Sequence, residues 1–134
     1  MLLLVEDSED DAFFFSRTLQ RTGMACGVHH VTDGAQAVAY LQDQAASESK
    51  ELPGMIFLDL KTPILNGFEV LEWLRKQPFA ADIQVIVLSG SEHEDDKKRA
   101  AQLGASQYVV KPIQIQDLQR YLHDLCPPEI GATS

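Results

Sequence analysis

Four short runs along the chain are apolar without interruption: Leu2-Leu3-Leu4-Val5, Met55-Ile56-Phe57-Leu58, Val85-Ile86-Val87-Leu88 and Tyr108-Val109-Val110. None alternates with polar residues, which predicts strands buried on both faces, as in a parallel sheet. Residues 26–31 form a weaker fifth candidate. The stretches between these runs carry helical spacing. Ala12, Phe15, Ser16 and Leu19 share one face of the first, and Val38, Leu41 and Ala45 mark the second. Asn66 is placed to cap a helix whose buried stripe is Val70, Leu71 and Leu74, closed by Pro78. Ser91 and Glu94 predict a capping box for a helix that ends near Gly104. Leu118, Tyr121, Leu122 and Leu125 face inward from the last helix, which Pro127-Pro128 stops. Strands alternating with helices through right-handed crossovers predict an α/β fold, a doubly wound parallel sheet between two helical layers.

One predicted helix differs from the rest. Residues 92–99 carry almost no apolar side chain, so this helix should pack lightly and open readily. It is either a weakly anchored surface element or the part that moves when a nearby site changes state. Residues 47–54 read as a polar loop. A single domain over residues 1–126, followed by a short tail at 127–134, accounts for the whole chain.

Composition narrows the class. At 134 residues, with 45% hydrophobic and 23% charged residues, the chain is long enough for one core without metals or staples. The net charge of −9 argues against unaided binding to nucleic acid or anionic membranes. Lys97-Lys98-Arg99 is a local basic triplet, read as a solvated helix face. The apolar start is cut short by Glu6 and Asp7, too early for a signal peptide or a membrane span. A cytoplasmic protein is therefore expected, with Cys26 and Cys126 as free thiols rather than a disulfide.

The chemistry collects at the ends of the predicted strands. In a parallel sheet all C-terminal strand ends lie along one edge, and ligands bind outside that edge. Glu6 and Asp7 follow the first run, Asp59 closes the third, Ser89 closes the fourth, and Lys111-Pro112 follows the fifth. Topology alone thus brings three carboxylates, a hydroxyl and an ammonium to one rim. Three carboxylates repel unless something positive joins them. Oxygen donors facing solvent suit a hard cation that keeps several waters, which describes Mg²⁺. Beside such a cation Asp59 becomes a nucleophile towards phosphorus, with Lys111 and Ser89 placed to meet the transferring oxygens. The plainer reading is a solvated acidic rim with a Lys111 salt bridge; the joint placement of all five groups favours the chemical one.

The segments Leu3-Leu4-Val5-Glu6-Asp7-Ser8, Phe57-Leu58-Asp59-Leu60-Lys61-Thr62-Pro63, Asn66-Gly67, Leu88-Ser89-Gly90-Ser91 and Val110-Lys111-Pro112 resemble the response-regulator receiver family, the CheY-like domains. The resemblance runs from Leu2 to Leu125 with the motifs in the family's order. The loop around residues 45–53 is similar to stand-alone regulators partnered with phytochrome-type kinases. The resemblance implies a flavodoxin-like five-stranded sheet of order 2-1-3-4-5 in three α/β/α layers. It implies a stand-alone regulator of a two-component phosphorelay, taking a phosphoryl group on Asp59 from a histidine kinase or histidine phosphotransfer protein. Asp7 and the backbone carbonyl of Lys61 would bind Mg²⁺ directly, and Glu6 through water. Ser89 and Lys111 would contact the phosphoryl oxygens, Tyr108 would be the switch aromatic, and Pro112 would follow a cis peptide bond. Lys61 and Ser91 occupy positions that tune phosphoryl lifetime. Glu6 and Ser89 replace the commoner Asp and Thr but keep the oxygen each role needs. Output would go to a downstream protein, and homodimerisation through the last strand and last two helices is a family habit.

Of the other residues, His29 and His30 point to opposite faces of a strand and cannot jointly ligate a metal easily. His93 and His123 read as surface. Phe15 lies on the buried stripe, Phe13 at its margin, and Phe14 points away from the core, where a large apolar group suits a contact with the phosphodonor protein. Trp73 is expected to be partly buried. Three other functions remain for comparison. A small aspartyl-phosphate phosphohydrolase would carry a second Asp two residues after the nucleophile, where this chain has Lys61. A flavodoxin-like cofactor binder would need a phosphate cradle where Glu6-Asp7-Ser8-Glu9-Asp10-Asp11 instead repels phosphate. A pseudo-receiver acting only as an interaction module would be expected to have lost site residues, and here the set is complete.

Overall fold

The structure is a computed structural model that describes residues 1–48 and 51–126. Five parallel strands, β1 (Leu2–Val5), β2 (Val28–Val31), β3 (Met55–Asp59), β4 (Gln84–Ser89) and β5 (Gln107–Val110), form one sheet in the order β2-β1-β3-β4-β5. Five helices separate and follow them: α1 (Glu9–Arg21), α2 (Gly34–Ala46), α3 (Gly67–Arg75), α4 (Glu94–Gln102) and α5 (Ile115–Leu122), with a 3-10 turn at Pro78–Ala80. No helix among the described residues is long and apolar enough to cross a membrane.

Strand pleating sorts each central run into two cores. Leu3, Val5, Ile56, Leu58, Val85 and Val87 pack with Ala37 and Leu41 of α2 and Val70, Leu71 and Leu74 of α3. Leu2, Leu4, Met55, Phe57, Ile86 and Leu88 pack on the other face with Ala12, Phe15 and Leu19 of α1 and Leu118 and Leu122 of α5. Burying leucines such as Leu118 and Leu122 contributes about 1.5–3 kcal/mol each, and both are fully enclosed. The uninterrupted runs are what a sheet covered on both sides requires. β5 is the exception: it lies at the sheet edge, and Tyr108, Val109 and Val110 are half-buried rather than enclosed on both faces.

Several local expectations change. On α1 the buried set is Ala12, Phe15, Thr18 and Leu19, whereas Ser16 faces solvent. Thr18 enters the core by donating its hydroxyl to the Phe14 carbonyl at 3.0 Å, four residues back. On α2 Ala37 is enclosed while Val38 and Ala45 are half-buried. Asn66 caps α3 in a full capping box with Glu69, as its position predicts. Ser91 and Glu94 form none: α4 starts at Glu94 with His93 as an N-cap that makes no side-chain cap bond, and the Ser91 hydroxyl instead accepts from His93 N–H at 3.2 Å. The expected ending near Gly104 holds, where φ is +96°. Pro127-Pro128 and the tail lie outside the described residues.

The cysteines overturn the expectation of free thiols. Cys26 and Cys126 form a disulfide, with Cα atoms 5.5 Å apart and a sequence separation of 100. α5 returns to the end of the sheet where β1 and β3 begin, and Cys126 packs there against the same cluster as Leu2, Met55 and Cys26. That end is the one remote from Asp59.

Candidate functional site

Register delivers the rim residues. Val5 pairs with Leu58, so Glu6 and Asp59 emerge at the same height from neighbouring strands. Asp59 pairs with Leu88, and Ser89 with Val110, so Ser89 and Lys111 follow one residue further on. Behind Asp59 the chain must turn tightly onto α3. Gly67 makes this approach: a Cβ there would lie 2.7 Å from Leu60 Cα and 2.8 Å from the Asp59 carbonyl oxygen. The Thr62 hydroxyl donates to the Leu65 carbonyl at 2.8 Å, a role its position in the sequence does not reveal. Between them Ile64 has φ +70° while Leu65 N–H donates to Pro63, the rarer and strained form of γ-turn.

The carboxylates converge. One oxygen from each of Glu6, Asp7 and Asp59 lies within 4.8 Å of the others, an all-oxygen set that fits a hard divalent cation. Asp59 is almost buried; its Oδ1 accepts from Lys61 N–H at 3.1 Å and its Oδ2 from Lys111 Nζ at 3.1 Å. Lys111 Nζ also donates to Glu6 Oε1 at 2.6 Å and to Asp11 Oδ2 at 2.9 Å. The Glu6 side chain thus reaches Lys111 directly, and its Oε2 accepts from Ser8 N–H at 3.2 Å. Burial, with Asp59 adding to it against the opposing pull of Lys111, pushes the Glu6 carboxyl up to about 7. Burial alone would pull the Lys111 ammonium down, but hydrogen bonds to Glu6, Asp11 and Asp59 together outweigh it and hold the group well above its ordinary value.

Ser89 is buried and its Oγ accepts from Ser91 N–H at 3.1 Å. The Ser91 carbonyl accepts from the Tyr108 hydroxyl at 2.8 Å, tying β5 to the loop before α4. Lys61, Ser91, His93 and Asp96 line an open hollow of about 680 Å³ beside this loop. The Lys111–Pro112 peptide bond is cis, as the resemblance implies. Phe14 is exposed, and Phe13 more so, at 49% and 65%; Phe14 lines a groove of about 380 Å³ with Asp11, Lys111 and Pro112.

Two contacts were not foreseen. Asp11, read only as part of an acidic run, touches Lys111, and His30 Nε2 donates to the Glu6 carbonyl at 2.7 Å. His29 stacks on Tyr40, with centroids 4.0 Å apart. Trp73 is half-buried, edge-on to Phe79.

A family model for the response regulator receiver domain matches residues 2–123, and the chain belongs to that family. Response regulator Rcp1 of Synechocystis is 34% identical over 118 residues, covering 88% of this chain and 80% of Rcp1. The Mn²⁺-bound structure of Rcp1 matches with a TM-score of 0.74 over 92% of this chain and 89% of the other. The bacteriophytochrome response regulator RtBRR matches with a TM-score of 0.78 and 37% identity, over 92% of this chain and 76% of its own. The phosphorylated cyanobacterial phytochrome response regulator RcpA gives 0.73 and 31%, over 92% and 89%. The family is one of phosphoacceptor switches, which implies a phosphodonor partner.

Proposed function

We propose that the chain is a stand-alone response regulator that accepts a phosphoryl group on Asp59 from a phosphohistidine donor, with Mg²⁺, and signals by conformational change to a protein partner. The observation that carries this reading is the convergence of Glu6, Asp7 and Asp59 around the Lys111 ammonium. Relatives are known in Mn²⁺-bound and phosphorylated forms, which supports the same chemistry here. A carboxylate oxygen of Asp59 attacks phosphorus, and the P–N bond to the donor imidazole breaks with its electron pair left on nitrogen. Glu6, Asp7, Asp59 and the Lys61 carbonyl would hold Mg²⁺, which when bound neutralises charge on the transferring oxygens. Lys111 donates to one phosphoryl oxygen and the Ser89 hydroxyl to another.

Drawing Ser89 to the phosphoryl group withdraws the acceptor of Ser91 N–H, and through the Ser91 carbonyl this reaches Tyr108. Lys61 and Ser91, at the mouth of the hollow, set water access and with it phosphoryl lifetime. Phe14 is the proposed contact for the donor protein, and no nucleic acid or membrane partner is proposed.

The test is incubation with acetyl phosphate, with and without Mg²⁺, read by intact mass. One added phosphoryl group is expected, dependent on Mg²⁺ and lost in Asp59→Asn; no adduct under any condition overturns the reading. With a phosphohistidine protein as donor, Phe14→Ala should slow transfer while leaving uptake from acetyl phosphate unchanged; equal rates from the protein donor would remove Phe14 from the interface.

A further inference from the structure

The Lys111 ammonium has three protons and three carboxylate partners, Glu6 at 2.6 Å, Asp11 at 2.9 Å and Asp59 at 3.1 Å. These partners are not equivalent. Glu6 and Asp59 belong to the trio whose oxygens converge within 4.8 Å, so a bound cation competes with Lys111 for them. Asp11 stands outside that trio, its side chain half-exposed. It is also fixed from behind: it occupies the first turn of α1, where its N–H donates to the capping hydroxyl of Ser8 at 3.2 Å. Lys111, by contrast, carries its ammonium on a flexible four-carbon stem just beyond the edge strand β5.

We infer that Asp11 is a positioning residue for Lys111, the one carboxylate that keeps hold of the ammonium when cation and phosphoryl group occupy the others, and so fixes Nζ beside Asp59 for phosphoryl transfer. This inference rests on the reading of Asp59 as phosphoacceptor. A bound cation would draw Glu6 away, and the reaction converts the Asp59 carboxylate to an acyl phosphate, so each event takes a carboxylate partner from Lys111, the second replacing it with a phosphoryl oxygen. Asp11 is chemically untouched by both. Without it, once Glu6 and Asp59 are engaged by the cation and the incoming phosphoryl group, the ammonium has no other carboxylate partner among the described residues. It then samples the solvent side of the groove lined by Phe14 and Pro112 until the phosphoryl oxygens reach it. A small displacement of a charge-stabilising group is costly to rate while leaving donor binding alone.

The experiment compares wild type, Asp11→Ala, Asp11→Asn and Asp10→Ala for uptake from acetyl phosphate at saturating Mg²⁺, over a range of donor concentrations. Asp11→Ala should lower the maximal rate about tenfold with the half-saturating donor concentration unchanged. Asp11→Asn, whose amide oxygen still accepts from Lys111, should recover most of that loss. Asp10→Ala removes the same charge from the same helix turn without touching Lys111 and should behave as wild type. Equal maximal rates for Asp11→Ala and wild type overturn the inference and leave the phosphoacceptor reading standing. So does an equal loss in Asp10→Ala, which would assign the effect to the acidic helix start, or no recovery in Asp11→Asn. A wild-type protein that takes up no phosphoryl group overturns both.

Discussion

Glu6 is the residue whose environment most changes its chemistry. It stands where a shorter Asp is commoner in the family, and the extra methylene brings Oε1 to 2.6 Å from Lys111 while the side chain is 2% exposed. Burial raises its carboxyl to about 7. A folded-state value above the ordinary 4.5 means the carboxyl's contribution to stability is fully present below 4.5 and lost as pH rises through 7. A divalent cation needs the ionised form, so Mg²⁺ binding must expel this proton at acidic pH and costs nothing extra above about 8. Mg²⁺ affinity is therefore expected to fall by up to about tenfold per pH unit below 7 and to level off above it. Glu6→Gln should flatten that profile. Calorimetric titration of Mg²⁺ at several pH values in buffers of different ionisation heat reads both the affinity and the proton released; a profile as steep in Glu6→Gln as in wild type would assign the proton elsewhere.

At the scale of elements, two sequence patterns of the same form have different fates. Asn66…Glu69 makes a capping box, and Ser91…Glu94 does not. The difference is tertiary: Ser91 N–H is committed to Ser89 Oγ and its carbonyl to Tyr108, so residues 90–93 are held as a loop and α4 begins later. No local propensity encodes that. The light packing of α4 was legible, because a segment with almost no apolar side chain can bury little, and Ala100 is its one buried residue. Arg99 lies over the Phe68 ring at 4.2 Å, and Lys97 pairs with Glu94 at 3.6 Å, both surface contacts of modest worth. The central strands were legible for the opposite reason, since a run covered on both faces is apolar until it reaches the rim; β2, mostly exposed at the sheet edge, carries a weaker pattern, whereas β5 reads as apolar although it is only half-buried. If the Tyr108 hydroxyl holds the loop, Tyr108→Phe removes a bond with a net value of about 0.5–1.5 kcal/mol. Hydrogen exchange at amides of residues 90–102 should then quicken by roughly two- to tenfold, with α3 and α5 unchanged. Unchanged exchange in the loop would show that β5 and α4 are not coupled through this bond.

The whole molecule joins what sequence order separates, and here the legibility ends. The rim of Glu6, Asp7, Asp59, Ser89 and Lys111 could be read because strand ends in a parallel sheet share one edge. Asp11 with Lys111, and Cys26 with Cys126, are each 100 residues apart and meet through the docking of α1 and α5 on one face. Spacing along the chain carries no trace of either pair. The disulfide closes nearly the entire domain into one loop, which restricts the unfolded chain far more than the folded one, where Cys126 already sits buried in the turn that follows α5. On the chain-entropy account such a long loop stabilises by about 4–5 kcal/mol. Reduction, or Cys126→Ser, should therefore lower the unfolding free energy from guanidinium denaturation by about that amount and shift the midpoint down in proportion. Phosphoryl uptake by Asp59 below the transition should not change, because the bridge lies at the far end of the sheet from the acidic rim. An unchanged midpoint after reduction would mean that the packing of Leu118 and Leu122 alone holds α5 in place. A slowed uptake with the fold intact would mean instead that α5 transmits its position from the bridge to Lys111.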